Sequence, residues 1–128
     1  MKLILDTCAF LWTLKGEPAL PPRVAALVRD PDNDVFLSAA SAWEIAQKYA
    51  LRKLVLPEPP ERYIPFEREK RGIASLAMDE ESTLHTSRLP FLHRDPFDRL
   101  IVSQAIVHGM TIATPDPLIT QYPARVIW

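Results

Sequence analysis

The sequence predicts a three-layer α/β fold around a central, mostly parallel sheet of four to five strands. Short apolar runs alternate along the chain with stretches of helical length, the pattern of strands joined by helical crossovers. Gly or Pro closes most of those stretches, as helix stop signals do. Size fits as well: 128 residues with 48% hydrophobic content suffice for one packed core, so one domain spanning residues 1–128 is expected.

Lys2-Leu3-Ile4-Leu5-Asp6 is an apolar run ending in an acid and reads as a buried strand. Thr7 to Lys15 is apolar at nearly every position, and Gly16 with Pro18 stops it as a helix. Pro21-Pro22 opens a second helix with Val24, Leu27 and Val28 on one stripe. After a polar turn over Asp30 to Asp34, Val35 to Ser38 reads as the second strand. Ala42, Ile45, Ala46 and Tyr49 then recur at helical spacing between Ala39 and Leu51. A proline-rich connection from Leu54 to Pro60 cannot continue that helix. Glu61 to Arg71 is charged and helical despite Pro65, with Gly72 ending it. Ile73 to Leu76 is a third strand, Asp79 to Ser87 a polar helix, and Leu89 to Arg94 a loop. Pro96 to His108 is a helix stopped by Gly109, Thr111 to Thr114 a fourth strand, and Arg125 to Ile127 a fifth at the sheet edge.

Charge and composition exclude several functions. Fifteen Lys plus Arg against sixteen Asp plus Glu give a net charge of −1, so nucleic acid would need a local patch. The lone Cys8 excludes an internal disulfide and a cysteine-rich zinc site. Three glycines leave no Gly-rich phosphate loop after the first strand. The N-terminus offers no secretory leader, and no apolar run approaches the roughly 18 residues of a membrane span, which predicts a cytoplasmic chain.

In open α/β sheets ligands bind at the carboxyl ends of the strands. Four acids fall there: Asp6 after the first strand, Glu44 in the helix after the second, Asp98 at the start of the helix before the fourth, and Asp116 just after the fourth. Carboxylate oxygens suit Mg²⁺ and Mn²⁺, and four carboxylates in one cleft repel unless a cation sits among them. Such a site suits metal-assisted phosphodiester hydrolysis. Each acid also has a plainer role. Asp6 can cap the first helix, Glu44 can complete a capping box with Ser41 and pair with Lys48, and Asp116 can belong to a turn. Asp95 is expected as an N-cap with Pro96 at the first helical position. Asp98, on a face with Ile101, Val102 and Ala105, needs a partner to offset its burial.

Four segments together resemble the VapC-type toxins, a subgroup of the PIN-domain ribonucleases: Leu5-Asp6-Thr7, Ser38 through Glu44-Ile45, Thr114-Pro115-Asp116, and above all Leu89 to Ala105, LPFLHRDPFDRLIVSQA. The resemblance spans essentially the whole chain. It implies a Mg²⁺- or Mn²⁺-dependent endoribonuclease of a toxin–antitoxin pair, cleaving RNA by a metal-activated water. By motif position it assigns Asp6, Glu44 and Asp98 to the metal site, Asp116 as the fourth acid and Thr114 as the hydroxyl that orders the site. Pro115 departs from many members of the subgroup. The resemblance further implies a homodimer held in check by a VapB-type antitoxin. Arg99, Arg94, Lys48 and Arg52 are candidates for flanking RNA phosphates, Arg99 foremost, each with a solvated surface charge as the plainer role. Another metal-dependent phosphohydrolase or DNA nuclease, and a non-catalytic binding module whose acids are caps, are the alternatives.

Among the remaining residues, Cys8 is expected as a buried small hydrophobe. His93 and His85 are assigned structural or surface roles, and His108 a place at the helix dipole. Phe10, Trp12, Trp43 and Tyr49 are expected to fill the core, with a dimer face or antitoxin groove as the other use of some of them. Trp128 receives no role.

Overall fold

The computed structural model describes residues 1–128. Its elements run β1 (Lys2–Leu5), α1 (Thr7–Lys15), α2 (Pro22–Arg29), β2 (Asp34–Ser38), α3 (Ala39–Ala50), α4 (Pro60–Lys70), β3 (Ile73–Leu76), α5 (Glu80–His85), α6 (Pro96–His108), β4 (Thr111–Ala113), α7 (Pro117–Thr120) and β5 (Arg125–Ile127). No helix is long and apolar enough to cross a membrane.

The five strands form one parallel sheet in the order β3-β2-β1-β4-β5. Alternate residues on each strand serve opposite faces, as the period of two requires. Leu3, Leu5, Val35 and Leu37 join a cluster with Phe10, Val24, Val28 and Ile64 from α1, α2 and α4. Ile4 and Ile112 point the other way, onto Ile101, Val102 and Ala105 of α6 and Ile119 of α7. These two cores give the expected three layers.

The chain leaves β1 toward β2 and β3, then returns to the other side of β1 as β4. The gap between β1 and β4 is therefore a topological switch point, where neighbouring connections depart in opposite directions and leave a crevice. The backbone ties the two strand ends together there: Asp6 N–H donates to the carbonyl of Ala113 at 3.1 Å.

Most helix ends follow the expected chemistry. Asp6, Asp79, Asp95 and Asp116 cap α1, α5, α6 and α7 with their side chains. Gly109 ends α6 at φ 66, a left-handed conformation that glycine adopts without strain. Two expectations need correction. The polar helix predicted to Ser87 ends at His85 and tightens into a 3₁₀ turn over Thr86–Arg88. The Asp116 turn continues into the four-residue α7, a length too short to leave a periodic signal.

The buried face of α3 also differs from the predicted stripe. It carries Ala40, Ser41, Glu44 and Ile45, whereas Ala46 is exposed and Trp43 is 58% exposed. Ser38, not Ser41, caps this helix, accepting from Ala40 N–H, so the Ser41–Glu44 capping box does not form. Turning the helix this way brings Glu44 inward. Phe10 is in the core as expected, while Trp12 packs against Trp128 with ring centroids 5.7 Å apart, which gives the C-terminal residue its place.

A buried polar strut joins the layers. The Gln104 side chain, fully buried, accepts from the Ser38 hydroxyl and donates to the carbonyl of Ala77 at 3.1 Å. It thereby links α6 to the ends of β2 and β3. Gln104→Leu leaves the buried Ser38 hydroxyl without its acceptor, while the exposed Ala77 carbonyl can turn to water, and should cost about 1–2 kcal/mol in urea unfolding; a loss below about 0.5 kcal/mol would show that the strut bears no load.

Candidate metal centre

Asp6 stands at the end of β1 and is only 3% exposed. Its Oδ1 accepts from Ala9 N–H at 2.6 Å, and its Oδ2 accepts from the Thr114 hydroxyl. Thr114 in turn accepts from Asp116 N–H at 3.0 Å, so one hydroxyl joins two of the acids. Glu44, turned inward on α3, is held between two donors: the Thr7 hydroxyl and Lys48 Nζ, each at 2.6 Å. Asp98 lies one turn into α6, where the neighbouring Asp95 takes the capping role by accepting from Phe97 N–H. The plainer roles of Asp6, Asp95 and Asp116 as caps are thus real, and a carboxylate that accepts one or two hydrogen bonds keeps lone pairs for another ligand.

Asp6, Glu44, Asp98 and Asp116 line one cleft of about 490 Å³, with Asp95 beside them. Only part of this set is in close contact. His93, Asp98 and Asp116 each offer an atom within 4.8 Å of the others, the spacing of a shared ion; Asp6 and Glu44 are not in that group. Pro115 does not turn Asp116 away from the cleft, which both residues line.

His93, expected in a structural or surface role, stands among the acids. Its Nε2 lies 2.8 Å from Asp98 Oδ2 and 3.8 Å from Asp116 Oδ2. Its Nδ1 accepts from Asp95 N–H at 3.4 Å, and its own N–H donates to the Tyr122 hydroxyl at 2.9 Å. With Nδ1 as acceptor, Nε2 carries the proton and donates to Asp98. Sequence spacing gave no metal-ligand pattern for this histidine, because one partner, Asp116, lies beyond β4. The position of His93 inside the HRDPFD string was the available signal.

Burial and crowding oppose ionisation in the cleft. Desolvation pushes the Asp6 carboxyl up to about 6 against the hydrogen bonds from Thr114 and Ala9, with Asp116 and Glu44 adding repulsion. Desolvation and the nearby Asp95 push Asp98 to about 6 as well, opposed by His93. Cys8, half-buried in the cleft rather than in the core, has its thiol pushed up to about 11 by burial and these acids, which keeps it protonated and a poor nucleophile. Hard oxygen donors that cannot comfortably share one cleft as anions fit a divalent cation.

The four basic candidates behave differently. Lys48 lines the cleft but is paired with Glu44. Arg94 is exposed, as is Arg52, which takes the left-handed φ of 59 beyond α3. Arg99 corrects the leading expectation: it is 8% exposed, donates to the carbonyls of Thr86 and Pro90 and to the Tyr122 hydroxyl, and lies 4.4 Å from the Phe91 ring. Its guanidinium props the loop that carries His93, with three hydrogen bonds already made on that side of the protein. Trp43, expected in the core, instead meets Phe97 edge-on at 4.8 Å on the surface. His108 does more than face the helix dipole: its Nε2 lies 2.8 Å from Asp79 Oδ1, which helps hold that carboxyl well below its ordinary range.

The family model for the PIN domain matches residues 3–124. The chain is 37% identical to Ribonuclease VapC16 of Mycobacterium tuberculosis, over 73% of this chain and 86% of that protein. Its fold is similar to that in the structure of VapBC2 from Rickettsia felis bound to a promoter DNA fragment, with a TM-score of 0.75 at 17% identity, covering 99% of this chain and 98% of that one. VapBC-1 from nontypeable Haemophilus influenzae gives a TM-score of 0.67 at 17% identity, covering 99% and 97%.

Two outcomes follow from the cleft. Asp6 and Asp98 gain their charge only as the pH rises through about 6, so a cation competes with protons below that value. Calorimetric titration should show Mn²⁺ binding at least about tenfold weaker near pH 5 than near pH 7.5. In the metal-free chain the sign for stability is opposite: these two raised groups stabilise fully below their ordinary 3.8, and that contribution is lost as the pH passes about 6. His93→Phe removes the donor to Asp98 and should weaken Mn²⁺ binding about 10- to 100-fold, with His93→Gln recovering most of it. Equal affinity in all three proteins would show the imidazole to be idle.

Proposed function

The chain belongs to the PIN domain family, and we propose that it is an endoribonuclease that uses a divalent cation, Mg²⁺ or Mn²⁺, held by Asp6, Glu44, Asp98 and Asp116. The observation that carries this reading is convergence. Four carboxylates from four separate parts of the chain meet at the β1/β4 switch point, each fixed by a hydrogen bond or ion pair of its own. Caps alone would not need to share a cleft.

The chain's own contribution is positioning. Thr114 and Ala9 N–H hold Asp6 in one orientation, Thr7 and Lys48 hold Glu44, and His93 holds Asp98. A bound divalent cation supplies neutralisation of phosphate charge and makes water acidic enough to attack at neutral pH. The four carboxylates would hold such a cation in the crevice, beside the phosphodiester. The exposed Arg94 and Arg52 stand as cations for phosphates farther along the strand, whereas Lys48 is taken up by Glu44. Arg99 is not among them.

The identity to Ribonuclease VapC16 supports RNA as the substrate. The fold shared with VapBC assemblies supports a VapB-type antitoxin as the protein partner; a homodimeric toxin is what the motif resemblance implies.

The test is cleavage of a mixed cellular RNA pool by the purified chain freed of any antitoxin. Discrete cuts should appear with Mg²⁺ or Mn²⁺, vanish with EDTA, and fall about 100-fold or more in Asp6→Asn and Asp98→Asn. Cuts that persist in both variants would overturn the carboxylate mechanism. A DNA pool run in parallel separates the RNA reading from a DNA nuclease.

A further inference from the structure

The acidic cleft does not end at the acids. Cys8, Leu11, Trp12 and Lys15, spaced i, i+3, i+4 and i+7, put one face of α1 along its floor. From Cys8 to Lys15 the helix advances about 10 Å away from the acids. Lys48, one turn beyond Glu44, lines the same cleft from α3. The order along the floor is therefore carboxylates, a small apolar stretch, an indole and an ammonium group.

The two lysines differ. Lys48 is committed to Glu44 at 2.6 Å, whereas Lys15 is exposed and in no ion pair. Lys15 also suits the negative end of α1, but that role leaves its charge open to an anion. Trp12 is half-buried and held in place by Trp128 at 5.7 Å, so a planar group entering the cleft meets a ring already fixed. The cleft's volume of about 490 Å³ is that of a site for a compact ligand.

We propose that this arm of the cleft is a subsite for the nucleotide next to the scissile phosphate in single-stranded RNA, with its base against Trp12 and its phosphate at Lys15. The proposal rests on the nuclease reading and deepens it, giving the bound strand a fixed direction along α1. Charge decides between RNA and a protein segment here. The unpaired cation lies at the far end of the groove, where an anionic backbone leaving the metal centre would meet it, and an aromatic ring beside a cation is the usual way of holding a single strand without reading its sequence.

The experiment uses fluorescein-labelled, random-sequence single-stranded RNA. Binding is followed by anisotropy in an Asp98→Asn background, and cleavage is followed with Mn²⁺ in chains that keep Asp98. Trp12→Leu should weaken binding and raise KM roughly 5- to 100-fold with kcat nearly unchanged, and Trp12→Phe should recover most of the loss. Lys15→Ala should lower the salt dependence of binding by about one counterion, and Lys15→Glu should weaken it further. Mn²⁺ affinity measured by calorimetry should match the unsubstituted chain in every Trp12 and Lys15 variant. Unchanged RNA affinity and KM in both Trp12→Leu and Lys15→Glu, with cleavage and Mn²⁺ binding intact, would overturn the subsite alone. Loss of a co-purified antitoxin from those variants, with RNA binding untouched, would make the groove a protein seat and overturn it equally. An unsubstituted chain that binds neither Mn²⁺ nor RNA would overturn the nuclease reading and the subsite with it.

Discussion

Much of this structure depends on satisfying one buried carboxylate. Asp6 lies at the end of the central strand, nearly inaccessible to water, and its burial works against its charge. The partners that compensate fix the surroundings. Ala9 N–H sets the start of α1, the Thr114 hydroxyl ties β4 to β1, and the same hydroxyl receives Asp116 N–H and so places the last acid. The sheet's switch point and the chemistry of its crevice are thus one construction.

The fold was legible because its signals are local. Strands buried on both faces read as short apolar runs, and the caps and stops at Asp6, Gly16, Asp95, Pro96 and Gly109 bracket α1 and α6 at the residues where those helices begin and end. The errors came where a tertiary contact outvoted a local pattern. Periodicity in α3 favoured Ala42 and Ala46 as core, yet the helix is rolled so that Glu44 faces inward, held by Thr7 and Lys48. No pattern within α3 records the position of Thr7.

The acids were legible as a set because the strand ends locate them, although single acids had competing local roles; Asp6 and Asp116 do cap their helices, while the capping box proposed for Glu44 does not form. What composition could not rank was the neighbouring basic and aromatic residues. Arg99 stands beside Asp98 in sequence but points into the protein, because successive helical residues face directions about 100° apart. His93 precedes α6 in an irregular loop, where no periodicity fixes which way a side chain turns; Asp98 and Asp95 N–H orient the ring, and Tyr122 holds the backbone.

Arg99 has a wider meaning for how the molecule meets its ligands. A guanidinium bound to two carbonyls and a phenol, with an aromatic ring against it, freezes the segment between Thr86 and His93 during folding. The ordering entropy of that segment is then spent once, at synthesis, rather than at each encounter. A ligand that meets the crevice would find His93 already in place, with no loop left to order around it.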